Sequence, residues 1–242
     1  MRFCPPRNAV GFCVVVRAAV LAGMALGAWR QAVAQTPQQR LTEIIRDTQK
    51  QGNRAGRFTL VWWIVPEFWR TALAANGAIP ADKIEEMVAS IRDINVFAVV
   101  DAKMAGFAPE FTSSQELQKD FNVTDSGNEL VPLIPEQKQS IATKNMLATM
   151  RPMMANMLGE FGKNMLFVVT EGKNKNGSRR IDPTKPGSLV VRLNNEEFHW
   201  RLPLGSLLPQ KVCPKCNEAF PGNYVFCPFD ATPLKERPGV TQ

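Results

Sequence analysis

Phe58-Thr59-Leu60-Val61-Trp62-Trp63-Ile64-Val65 holds seven apolar residues in eight, and only Leu60 is neither β-branched nor aromatic. Such side chains favour extended backbone, and the missing apolar/polar alternation predicts a strand covered on both faces. Pro66 ends it, because proline cannot extend the hydrogen-bond ladder. A strand buried from both sides needs a layer above and a layer below. The rest of the fold follows from what the flanking sequence can supply as those layers.

Helical segments flank it. Thr36-Pro37-Gln38-Gln39 predicts a helix start, with Thr36 as N-cap, Pro37 in the first turn and Gln39 closing a capping box. Leu41, Ile44, Ile45 and Thr48 share one face of that helix, and Gly52 is its expected stop. After Pro66 a short helix is expected over 67–75, closed by Asn76-Gly77. Another follows from Pro80, with Ile84, Met87, Val88 and Ile91 on one side. Val96–Val100 reads as a second buried strand ending at Asp101. Ser113 or Ser114 caps a short helix to Phe121, and Asp125-Ser126-Gly127-Asn128 is a turn between short strands. The longest helical stretch is 136–161, with Ile141, Leu147, Met150, Met154, Leu158 and Phe161 as its stripe and Pro152 expected to kink or divide it. Met165–Thr170 is a third buried strand. Residues 189–193 and 198–202 predict a hairpin turning at Asn194-Asn195. Interleaved helices and strands, with strands clustered late, predict an α/β mixed-sheet sandwich with flanking helices over residues 35–205.

Residues 1–34 read as an export signal. Arg2, Arg7 and Arg17 lead into a twelve-residue apolar run, 18–29, and Ala32-Val33-Ala34 gives a small-x-small cleavage pattern. The run is short of the roughly 20 residues that span a bilayer. Cleavage and export to the periplasm or beyond are therefore expected, with an uncleaved N-terminal anchor as the alternative. Met24 stands where a lipoprotein signal needs cysteine. The chain's net charge of +7 owes much to this segment: without its four arginines, 25 basic residues face 22 acidic. That balance does not suggest a nucleic-acid-binding surface.

Cys4 and Cys13 would leave with the signal, so the mature chain keeps three cysteines, all near its end. Cys213-Pro-Lys-Cys216 and Cys227-Pro-Phe-Asp230 each place two donors two residues apart, ten residues between the pairs. Two facing turns of this kind offer four ligands to a tetrahedral ion. The block, with Phe226-Cys227-Pro228 and Thr232-Pro233-Leu234, resembles the short zinc-ribbon modules of bacterial proteins. The resemblance covers the last tenth of the chain. It implies a ribbon over 206–242 holding structural Zn²⁺ through Cys213, Cys216, Cys227 and Asp230. Family members carry Cys-Pro-x-Cys-Gly in the second half. Here Asp230 stands for the fourth cysteine and Ala231 for the glycine, and Asn217 replaces the glycine after the first pair. A ribbon without metal, and a Cys213–Cys216 disulfide with Cys227 free, remain alternatives. A redox Cys-x-x-Cys needs a helix opening at the pair, which Pro209, Pro214 and Pro221 oppose.

Elsewhere the residues favour plain structural roles. The methionines of 150–157 fit core filling or a contact surface better than Cu(I) ligation. His199, the only histidine, is expected on the outward face of its hairpin strand. Asp101 and Asp125 suit a strand end and a turn. Lys173, Lys175, Arg179 and Arg180 suit a solvated loop. No catalytic set or phosphate loop stands out. The expectation is a non-enzymatic exported protein whose zinc ribbon serves as an interaction module for a protein partner. Metal handling by the Met-rich helix and an enzyme of unidentified class are the alternatives.

Overall fold

The structure, a computed structural model, describes residues 36–236 apart from Phe107. The expected signal and cleavage site lie outside the described residues.

Helix α1 (Pro37–Thr48) opens with the expected capping box: the Gln39 N–H donates to Thr36 Oγ1 at 3.2 Å and the Thr36 N–H donates to Gln39 Oε1 at 2.9 Å. It stops at Thr48 rather than Gly52, because Gln49–Gln51 form strand β1 and pair with β2 (Arg57–Ile64). Gly52 has a steric role. A Cβ there would lie 2.7 Å from a Glu196 carboxylate oxygen and 2.9 Å from Thr59 Cβ. The 58–65 stretch is a strand as its composition predicts, and Leu60 to Val65 are all buried.

Helices α2 (Pro66–Asn76) and α3 (Ala81–Ile91) lead from β2 to β3 (Ile94–Ala105). Gly77, at φ 64°, caps α2 in the left-handed conformation expected of it. Two helices in succession return the chain to the end of β2 from which it left. Hence β3 pairs antiparallel with β2, Ile64 opposite Val96. β3 then takes β6 (Leu166–Glu171) along residues 94–99 and β4 (Ala108–Phe111) along 102–105, both on the side away from β2. Helix α4 (Ser114–Asp120), capped by Ser113, precedes a second sheet of order β5 (Asn122–Thr124), β7 (Gly187–Leu193), β8 (Glu196–Leu202). The α/β class holds, but the sheets are not mixed in strand direction: every pairing of these strands is antiparallel.

Alternation along β2 separates the layers. Trp62 faces the helices: its indole N–H donates to Thr48 Oγ1 at 3.1 Å and its ring meets Phe68 edge-on at 5.1 Å. Phe58, on the same face, meets Phe161 at 4.8 Å. Trp63 faces the second sheet and packs edge-on against Trp200 at 6.4 Å. Helices, first sheet and second sheet therefore form three layers, and one buried apolar cluster runs through them, ending with Leu204 and Leu207. No helix among the described residues is long and apolar enough to cross a membrane.

The long helical stretch divides differently from expectation. A 3-10 turn (Glu136–Lys138) precedes α5 (Ile141–Leu158), which Ser140 caps. α5 continues through Pro152, and the break falls at Gly159, φ 57°, before α6 (Glu160–Lys163). The buried stripe is Thr143, Leu147, Met150 and Met154. Ile141 and Leu158 lie off it, 78% and 38% exposed.

Candidate metal centre

The ribbon is a three-stranded sheet with β9 (Lys211–Val212) between β10 (Ala219–Phe220) and β11 (Lys235–Glu236), and two loops project from it. Its own small cluster is Cys213, Phe220 and Cys227, with Leu234 packed against it. It rests on the segment leading out of the main domain. The Gly222 N–H donates to Gly205 O at 3.3 Å, and Asn223 Nδ2 to Pro203 O at 3.4 Å. A Cβ on Gly222 would come within 2.4 Å of Leu208 Cβ, so that seat requires glycine.

The two loops have one geometry. In the first, the N–H groups of Lys215 and Cys216 lie 3.4 and 3.5 Å from Cys213 Sγ, and the Asn217 N–H donates to Cys213 O at 2.9 Å. The Cys213 N–H then donates to Glu218 O at 3.0 Å. In the second, the N–H groups of Phe229 and Asp230 approach the Cys227 sulfur, Ala231 N–H donates to Cys227 O at 2.9 Å, and Cys227 N–H to Thr232 O at 2.8 Å. Asn217 (φ 60°) and Ala231 (φ 56°) both sit in the left-handed region. Those are the two positions where zinc-ribbon sequences carry glycine, and the backbone shows why. Asparagine tolerates this conformation, whereas alanine adopts it at a cost.

These loops bring all four expected ligands together. One ligand atom from each of Cys213, Cys216, Cys227 and Asp230 lies within 4.8 Å of all the others. Cys213 Sγ is 3.7 Å from Asp230 Oδ2, and Cys216 Sγ is 3.8 Å from Cys227 Sγ. A tetrahedral ion with arms of ~2.3 Å sets its ligands about 3.8 Å apart. The three cysteines of the cluster are free thiols. Cys213 and Cys227 are buried, while Cys216 is exposed. Burial pushes the Cys227 thiol up to about 11. Burial also acts on Cys213, but the Cys216 and Lys215 N–H groups and the neighbouring thiols outweigh it and hold that thiol below its ordinary value. The Thr232 N–H, 2.9 Å from Asp230 Oδ1, holds the Asp230 carboxyl below its usual range, so it is an anionic oxygen donor. Three sulfurs and a carboxylate suit a borderline-soft ion, and the cluster is compatible with metal binding.

The other candidates lie apart from this cluster. His199 faces outward, its side chain 59% exposed, and pairs with Glu197 at 3.1 Å. Met150 and Met154 are core residues. Asp125 holds its turn, accepting from the N–H groups of Gly127 and Glu129. The 173–180 loop is not simply solvated. Arg179 pairs with Glu67 at 2.7 Å and Arg180 with Asp125 at 2.7 Å, and both arginines are mostly buried, so these charges tie the loop to the domain.

Asp101 is the largest departure. It lies inside β3, not at a strand end, and its side chain has no exposed surface. It accepts from Thr59 Oγ1 at 2.6 Å, Thr112 Oγ1 at 2.6 Å and Asn194 Nδ2 at 3.1 Å, and it pairs with Arg57. Arg54 reaches it at 3.5 Å and Glu196 at 2.8 Å. The carboxylate thus joins the first sheet to the turn of the β7–β8 hairpin. The sequence signal that could have located it is two arginines before a buried strand and an aspartate within the strand that pairs with it. Comparison of the chain with protein families, curated proteins and solved structures finds no match.

Proposed function

We propose that the protein is an exported, non-enzymatic binding protein in which Zn²⁺ rigidifies the ribbon as a docking surface for a protein partner. The observation that carries this reading is the pairing of the four-ligand cluster with the side chains its loops display. Tyr224, Val225, Phe226 and Phe229 are 44%, 61%, 56% and 73% exposed. Phe220 anchors them from below, stacked with Tyr224 at 6.2 Å and tilted against Phe229 at 6.1 Å. Exposed aromatics on a rigid support are typical anchors of protein interfaces. A metal held by Cys227 and Asp230 fixes the loop between them, which carries Phe229, at no cost in ordering when a partner binds.

The test combines metal analysis with partner capture. Purified protein beginning at Gln35 should hold one Zn²⁺ per chain, and Cys216→Ser should hold none. A partner co-purifying with the native protein should be lost from both Cys216→Ser and Phe226→Ser/Phe229→Ser, while the aromatic double variant keeps its Zn²⁺. A metal-free native protein would refute the zinc reading. Capture that survives the aromatic substitutions would refute the docking surface.

A further inference from the structure

On the far side of the first sheet from the β7–β8 hairpin, helices α2, α3 and α5 enclose a pocket of about 390 Å³. α2 contributes Trp69, α3 contributes Met87, and α5 contributes Ala142, Met146, Met150 and Met153 to its wall. No charged residue lines it. That is informative in a chain that is 21% charged. Its two hydroxyls are already used. Ser90 Oγ donates to Met87 O at 2.6 Å and Thr149 Oγ1 to Asn145 O at 3.0 Å. The one remaining polar group open to the pocket is the side-chain amide of Asn145, on the exposed face of α5; the indole N–H of Trp69 is shut off from solvent and so does not open onto it.

We infer that this pocket binds a single-chain amphiphile with a neutral, oxygen-bearing head, such as a long-chain alcohol or monoester. The volume has room for about a dozen water-sized groups at ~30 Å³ each, which suits one hydrocarbon chain rather than two. Pockets of a few hundred Å³ with apolar walls and few polar groups are the usual form of a small-molecule site. Unbranched methionines adapt to a chain of variable shape. A hydroxyl or ester oxygen at the mouth of the pocket accepts from the Asn145 amide. A carboxylate would enter without a counter-charge on the wall and is disfavoured. Met87 belongs to the apolar face of α3 yet is 50% exposed, because the pocket opens beside it. The site lies on helices that contribute nothing to the ribbon, so it stands or falls independently of the zinc reading.

The test titrates the native protein with N-phenyl-1-naphthylamine and displaces the probe with 1-decanol or decanoate. Binding should saturate near one probe per chain, and 1-decanol should compete at least threefold better than decanoate. Met87→Glu places a charge in the wall and Ala142→Phe fills the space from an exposed helix position. Each should weaken the probe at least tenfold while leaving thermal unfolding close to native. Met157→Glu, on the same helix as Ala142 but outside the pocket and 62% exposed, should leave binding unchanged, as should Cys216→Ser. Equal loss with Met87→Glu and Met157→Glu would show surface adsorption and overturn the assignment. So would unaltered binding in both pocket variants, preference for decanoate, or stoichiometric Cu(I) uptake that depends on Met146 and Met153 and excludes the probe.

Discussion

At the residue scale, two positions set the terms. Asp101 is a charge buried on the face where the two sheets meet, and a buried carboxylate survives only if its lone pairs are filled. Burial alone would raise its pKa, but the Arg57 guanidinium and the Thr112 and Thr59 hydroxyls hold it below the ordinary carboxylate range. Its folded pKa is therefore below its unfolded value of ~3.9. The stabilisation is complete above that value and is lost as pH falls through the folded pKa. Asp101→Asn should cost on the order of 3 kcal/mol at neutral pH, since it leaves Arg57 facing a neutral amide. The difference from native should shrink in denaturant unfolding below about pH 4. A pH-independent difference would mean that the packing of this side chain matters and its charge does not. Ala231 is the second position. Its φ of 56° is costly for any residue with a Cβ. Ala231→Gly should gain about 1 kcal/mol, read as a roughly fivefold rise in Zn²⁺ affinity by chelator competition. Asn217→Gly should gain less, because asparagine tolerates that region.

At the element scale, α5 separates what periodicity can and cannot locate. Met154 is fully buried and Leu158, one turn later, is 38% exposed. Met154→Ala should cost about 2–5 kcal/mol and Leu158→Ala on the order of 1 kcal/mol or less, by denaturant unfolding. Equal costs would place the buried stripe where the sequence pattern alone puts it. The pattern found a helix of the right face, but Gly159 rather than Pro152 divides it, because a proline well inside a long, packed helix can be tolerated where a positive-φ glycine turns the chain. Features that depend on neighbouring residues alone follow from the sequence: the Thr36 capping box, the αL Gly77, the Asn194-Asn195 turn and the alternation around His199. Long-range pairings were not legible. Gln49–Gln51 join the sheet only because β2 offers an edge, and Asp101 became buried only because Arg57, Thr112 and Asn194 arrive from three other places in the chain. The cluster of Cys213, Cys216, Cys227 and Asp230 was legible because both of its constraints, spacing and residue type, lie within eighteen residues of sequence.

At the scale of the whole molecule, two unequal cores sit in series. The large one ends with Leu204 and Leu207, so Leu207 of the expected 206–242 ribbon belongs to it, and it includes no described residue beyond that. The small one, Cys213, Phe220 and Cys227 with Leu234, is too small to hold a fold by apolar burial alone, which is the circumstance in which a structural metal supplies the folding energy. Acid should therefore take the molecule apart in two steps. Protons compete with the metal at three sulfurs whose ordinary pKa is ~8.5, so affinity falls as pH falls, starting well above the carboxylate range. The large domain responds only in the carboxylate range, as Asp101 and Asp182, both held below their ordinary value, protonate below ~3.9. Zn²⁺ release, followed with a chromogenic chelator, should thus be complete while tryptophan emission, which arises within the described residues from Trp62, Trp63, Trp69 and Trp200 of the large domain, is still native. Cys216→Ser should show only the second step, with hydrogen exchange already fast over residues 211–235 at neutral pH and unchanged protection in β2 and β3. A single transition, with metal loss and tryptophan change coinciding, would mean instead that the seat of Gly222 and Asn223 on residues 203–208 couples ribbon and domain into one cooperative unit.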